Sequence, residues 1–280
     1  MGLRAGLAVF ALALLPAIAG DAVTNGPTKT DNNVRIVKKG TLGGEIKLYA
    51  VLTNCTEVTV TLKVTGDNVS LSRSVPFTVD SEGTNFLELV TLRATNPQRP
   101  WKYNSEFHWR PGRRGNVLTN SFAYHLPYAG ETHRVVQADF GNFSHQAGSD
   151  NEHAIDWAMP VGTSIGAARD GTVVAIRQDS NVGGDDPKYK QSGNYVVIKH
   201  EDGTFAEYYH LKKDGVTVAL GKRLRAGEPL GLSGDTGFRL SPHLHFVVFQ
   251  NIDGQSRRSM PVVFETRTGE VESLKQGRVY

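Results

Sequence analysis

The chain has 280 residues, 39% hydrophobic and 21% charged, an ordinary balance for a water-soluble globular protein with room for one large domain or two of moderate size. Its 31 basic and 28 acidic side chains leave a net charge of +3 with no clustered Lys/Arg run, which argues against nucleic acid as a partner. The single cysteine, Cys55, can form neither an internal disulfide nor a thiolate metal site, so any metal must rest on His, Asp or Glu.

The first twenty residues, "MGLRAGLAVFALALLPAIAG", open on a positive end at Arg4 and continue as an apolar run from Leu7 to Leu15. Ala17 and Ala19 then occupy the −3 and −1 places of a small-residue cleavage site. This is the pattern of a secretory signal peptide, residues 1–19, and the run is shorter than the roughly 20 residues a membrane span needs. The expected location is periplasmic or secreted, with no transmembrane segment after cleavage. A weakly basic exported protein also suits contact with a polyanionic wall. Residues 20–33 are polar and turn-rich, and read as a flexible lead-in.

From residue 34 to about 128 the text alternates with period two ("EIKLYAVLTN", "EVTVTLKVTG", "NFLELVTLRA") between turns at "GDN", "SEG" and "NPQRP". Short strands at that spacing predict a β-sandwich-like module without a cluster of catalytic residue types. Cys55, His108 and His125 read as ordinary strand residues there. Residues 129–280 are richer in glycine and again read as strands, so the whole mature chain is expected to be mainly β, its second half an antiparallel sheet domain.

The chemistry-bearing residues lie in that second half. In "SPHLHFVVFQ", His243 and His245 are two apart on a strand and project from one face, with Leu244 and Phe246 on the other. Such a pair suits a metal or a catalytic role, and equally a polar sheet face. In "FAEYYHLKK", alternation places Phe205, Glu207 and Tyr209 on one face and Ala206, Tyr208 and His210 on the other. Asp156, in "AIDWAMPVG", sits among apolar residues, and a carboxylate buried there needs a cation or several hydrogen bonds to remain ionised. Its neighbour Trp157 reads as core.

Taken in order, "AIDWAMPVGTSIGAARDGTVVAI", "EYYHL", "GEPLGLSGDTG" and "SPHLHF" resemble the zinc endopeptidases of the lysostaphin and β-lytic type, which cut peptide bonds in peptidoglycan. The resemblance covers about residues 130–265. It implies Zn2+ as cofactor, Asp156 and His245 as ligands, and His243 and His210 as the residues that activate water and stabilise the transition state. It also implies peptidoglycan peptides as the substrate.

The pattern departs from the family at the first ligand, a His four residues before the Asp, where this chain has Glu152. On a strand Glu152 would share a face with Asp156, whereas His153 would not unless a bulge turned it. Upstream, "SH…AIDWAMPVGT" resembles a divergent branch in which the first His is displaced. The order of candidates is therefore His145, Glu152, then His153. The alternative reading is a catalytically degenerate member that binds and activates other wall hydrolases. The segments "DTGFRLS" and "DSNVGGDDPKYKQSG" are expected to wall the groove. The Pro-containing junction "YHLPYAGE" raises the further possibility that the first module inhibits the site until it moves.

Overall fold

The computed structural model describes residues 21–25, 33–40, 44–116, 122–269 and 271–280. The expected signal peptide, residues 1–19, lies outside them. The described chain is almost entirely β, with one 3-10 helix, Pro187–Gln191.

The first part contains two four-stranded sheets. One holds the strands Asp21–Asn25, Lys102–Pro111, Val58–Asp67 and Phe77–Asp80, and the other Val34–Gly40, Ile46–Leu52, Phe86–Ala94 and Val69–Leu71. Long β-branched alternation drives the central pairing. Val60 faces Trp109 and Leu62 faces Phe107 across antiparallel strands, so large cross-strand pairs fix the register. Residues 21–25, expected to be part of a flexible lead-in, instead form a strand parallel to Lys102–Pro111. That strand edge would otherwise present a row of unpaired backbone groups, and its demand for partners overrides the weak strand signal of "DAVTN".

The second part is built on one ten-stranded sheet. Its path runs Arg134–Gln137, Ile155–Ala158, His243–Asn251, Phe205–Val216, Asn194–Lys199, Gly171–Arg177, Arg223–Leu224. The central strand His243–Asn251 explains how the two parts fit. Leu244, Phe246 and Val248 point into a core with Ile155, Trp157, Ala206 and Tyr208. The opposite face carries His243 and His245, then Val247 and Phe249. Those last two join Val174, Tyr195, Val197 and Phe205 in a second core, which they share with Val60, Leu62, Phe107 and Trp109 of the sandwich. The sandwich therefore sits on the same sheet face as the histidine pair, further along the strand.

This contact is continuous and specific. Asn33 Nδ2 donates to the Tyr195 hydroxyl (3.0 Å), Asn251 Nδ2 to Pro111 O (2.8 Å), and Lys199 pairs with Glu57 at 2.6 Å. Gly254 N donates to Thr61 Oγ1 at 2.9 Å, and a Cβ on Gly254 would lie 2.3 Å from His108 O, so only glycine fits there. Tyr124 and Tyr128 are buried in the second part's own core, and Ala123–His125 pairs with Val263–Glu265. A period-two pattern announces a strand without saying which sheet receives it.

Candidate metal centre

Asp156 and His245 are direct partners in the antiparallel register between Ile155–Ala158 and His243–Asn251. His245 Nδ1 donates to Asp156 Oδ1 at 2.8 Å, and both residues are buried. Burial alone would raise the Asp156 carboxyl. The adjacent His245 ring, its hydrogen bond to the carboxylate, and the charge of His243 outweigh it and hold the group well below the ordinary carboxylate range. Trp157, on the alternate side, is fully buried core.

His145 completes the cluster from outside the sheet. The chain leaves Arg134–Gln137, passes through turns, and folds back so that His145 is wholly enclosed. Its Nδ1 donates to Ala138 O at 3.3 Å, which leaves Nε2 as the bare nitrogen, 3.3 Å from Asp156 Oδ2. That Nε2 is buried with no hydrogen-bond partner. One ligand atom each from His145, Asp156 and His245 lie within 4.8 Å of one another. An orphaned imidazole nitrogen, a second imidazole and an ionised carboxylate turned toward one point make a donor set that fits zinc. The carbonyl held by His145 Nδ1 is the kind of outer partner that fixes a metal-binding tautomer.

The structure does not bring Glu152 or His153 to that point. Residues 147–153 run through turns and a bend, and the strand begins only at Ile155, so the face-sharing argument for Glu152 has no strand to act on. Its carboxylate accepts from Gly148 N at 2.7 Å and lies 3.5 Å from His153 Nε2. His153 itself faces Asp139 at 3.7 Å.

His210 and His243 stand beside the cluster with ring centroids 4.4 Å apart. Strict alternation would have placed His210 with Ala206 and Tyr208 in the core. Between Tyr209 and Leu211 the pairing with Tyr195 and Asn194 slips by one residue, so His210 is the extra residue of a bulge. It adopts φ +67°, a left-handed backbone that swings its ring to the groove side. His210 Nδ1 donates to Thr236 O at 2.6 Å, which directs Nε2 away as a free acceptor. Burial, then the neighbouring His243 and His245 rings, push its pKa well below that of a free histidine, so the ring is neutral. His243 Nδ1 donates to Ser241 O (2.8 Å), and its Nε2 lies 3.8 Å from Asp156 Oδ2. Two imidazoles with anchored Nδ1 atoms beside a metal-type cluster can accept, hold and return a proton.

These groups open on a groove of about 710 Å³. Phe238, Leu240 and Ser241 of "DTGFRLS" line it, as do Lys190 and Gln191 of the 179–193 segment. Gly183–Gly184 pairs with Gly237–Phe238, tying the two walls together. Two lining residues had no signal in the sequence. Gln137 touches Asp156 itself, donating to Oδ2 at 3.0 Å. Arg110 comes from the sandwich, forms an ion pair with Asp150 and donates to Gln255 O at 2.7 Å. Burial, compounded by nearby Arg257, lowers the Arg110 guanidinium to about 10.

With this geometry in place, comparison with known proteins is informative. Residues 150–257 match the profile of Peptidase family M23, a span that begins just after His145. The peptidoglycan DD-endopeptidase ShyA of Vibrio cholerae is 38% identical over 91 residues, 32% of this chain and 18% of that protein. The glycyl-glycine endopeptidase ALE-1 of Staphylococcus capitis is 34% identical over 120 residues, 42% of this chain and 30% of that protein. The chain thus spans less than a third of the length of these two relatives. The catalytic domain of lysostaphin from Staphylococcus simulans aligns in three dimensions with 22% identity and a TM-score of 0.32, covering 46% of this chain and 87% of that one.

Proposed function

We propose that this chain, in which residues 150–257 form a Peptidase family M23 domain, is an exported zinc-dependent endopeptidase that hydrolyses peptide bonds of peptidoglycan. The observation that carries the reading is the convergence of His145, Asp156 and His245 on one point with His210 and His243 beside it. The three would hold the metal beside the groove. Bound zinc supplies a Lewis acid and lowers the pKa of its water toward about 7. His210, kept neutral and anchored through Nδ1 to Thr236, offers Nε2 as the acceptor for the water proton. His243, anchored to Ser241, directs its Nε2 toward the same space and can hydrogen-bond the oxyanion as it forms.

The wall is the expected site of action. Two relatives are named as endopeptidases, one of them of peptidoglycan, and no helix among the described residues is long and apolar enough to cross a membrane. In the regulator reading, the protein binds wall hydrolases and has no turnover of its own.

Purified peptidoglycan incubated with the mature protein separates the two. Release of soluble muropeptides that stops with a zinc chelator, returns with added zinc and is absent in His210→Ala supports the enzyme. Zinc-loaded protein that releases nothing overturns it. The masses of the released fragments identify the bond cleaved.

A further inference from the structure

We infer that Gln137 is a positioning residue that assembles the metal centre by fastening the His145 loop to Asp156, an inference that rests on the zinc reading above. Its amide Nε2 donates to Asp156 Oδ2 at 3.0 Å and to Ser144 Oγ at 2.8 Å. Its Oε1 accepts from Phe143 N and Ser144 N, both at 3.0 Å. One buried amide therefore bonds the carboxylate of one candidate ligand and the backbone immediately before another.

The backbone is shaped to deliver it. In the antiparallel pair of Arg134–Gln137 with Ile155–Ala158, Val135 faces Trp157, but Gln137 rather than Val136 faces Asp156. Val136 is the extra residue of a bulge and is turned out, 38% exposed. Without the bulge, position 136 would face Asp156 and Gln137 would point away. The turn that follows is cut to the same fit. A Cβ on Gly141 would lie 2.3 Å from Gln137 Cγ, so a side chain there would displace the amide.

Gln137 solves the problem created by a displaced first ligand. A histidine on the same strand as Asp156 would be placed by the sheet. His145 is held by a loop, and a loop needs a tether to bring Nε2 to within 3.3 Å of Asp156. Gln137 also leaves Asp156 Oδ1 to His245, so the two carboxylate oxygens have separate partners.

The test is zinc affinity of the full chain, measured by competition with a chromophoric chelator. Gln137→Met fills the same volume without polar atoms, and should weaken zinc about 10–100-fold, the range for loss of an outer partner. The visible spectrum of the Co2+-substituted protein should change with it. Combining Gln137→Met with His145→Ala should weaken zinc no further than His145→Ala alone, because the tether acts through that ligand. If Gln137→Met fails to fold, Gly141→Ala disturbs the same amide from the other side and should produce the same loss. Affinity within twofold of wild type in either folded variant overturns the inference, even if thermal stability falls. A wild-type protein that takes up no zinc overturns the zinc reading itself.

Discussion

His145 and Asp156 are eleven positions apart in the chain, yet both are buried and His145 Nε2 approaches Asp156 Oδ2 to 3.3 Å. Glu152, only four positions from Asp156, bonds the backbone of Gly148 instead. Zinc content should therefore be about one per wild-type chain and should be lost in His145→Ala and His245→Ala, with affinity falling by more than the ~100-fold upper range for an outer partner. Glu152→Ala and His153→Ala should retain it. Loss of zinc in Glu152→Ala with retention in His145→Ala would reverse the assignment.

The two remaining histidines should separate binding from chemistry. His210 and His243 both anchor Nδ1 on backbone carbonyls and lie beside the ligand cluster. His210→Ala and His243→Ala should each keep zinc and lose about 10²–10⁴-fold in kcat/KM, the usual contribution of a positioned acid or base. A variant that loses both zinc and activity would mean that its histidine belongs to the metal rather than to proton transfer.

Sequence periodicity carries the parts of this centre that lie on regular strands, and no others. His243 and His245 follow from period two, because the sheet enforces it, and Asp156 from its place in apolar text. His210 was legible as a residue and misplaced by face, since nothing in "EYYHL" announces that the strand bulges at the histidine. His145 was found through resemblance, and only the folded loop shows how it reaches the site. Gln137 and Arg110 carried no signal, because one depends on a bulge and the other on contact between sheets distant in sequence.

His200 should make the fold acid-sensitive independently of the metal. It is buried, donates from Nδ1 to Asp170 O at 2.8 Å, and has an unpartnered Nε2. Burial, only partly offset by that hydrogen bond, lowers its pKa to about 4 from the ordinary 6.5. Between these values the unfolded chain binds a proton that the folded one refuses, so stability falls as pH drops from 6.5 toward 4. The full effect is about 3 kcal/mol at 1.36 kcal/mol per pH unit. Denaturant melts of metal-free protein at pH 7 and pH 4 should show wild type losing more stability than His200→Asn, which keeps a donor without titrating. Equal losses would refute a role for His200.

The position of the sandwich argues against its being a removable inhibitor. It occupies the same sheet face as His245, but further along the strand, where Phe205, Val247 and Phe249 join its core. Buried large apolar side chains of this kind are worth about 1.5–3 kcal/mol each, against a total folding stability of only about 5–15 kcal/mol. A fragment of residues 122–280 should therefore be insoluble or loosely folded, and its peptidoglycan-hydrolysing activity should fall. In the intact chain, Arg110→Met tests the wall directly. It leaves Asp150 without its sandwich partner at the groove margin. The cost should lie between the ~1 kcal/mol of an exposed pair and the ~3–5 kcal/mol of a buried one, because both side chains are partly accessible. Zinc affinity should be unchanged while KM for peptidoglycan rises, since Arg110 lines the groove without contacting His145, Asp156 or His245. A soluble fragment more active than the whole chain would restore the inhibitory role. Unchanged KM in Arg110→Met would confine the sandwich to a structural one.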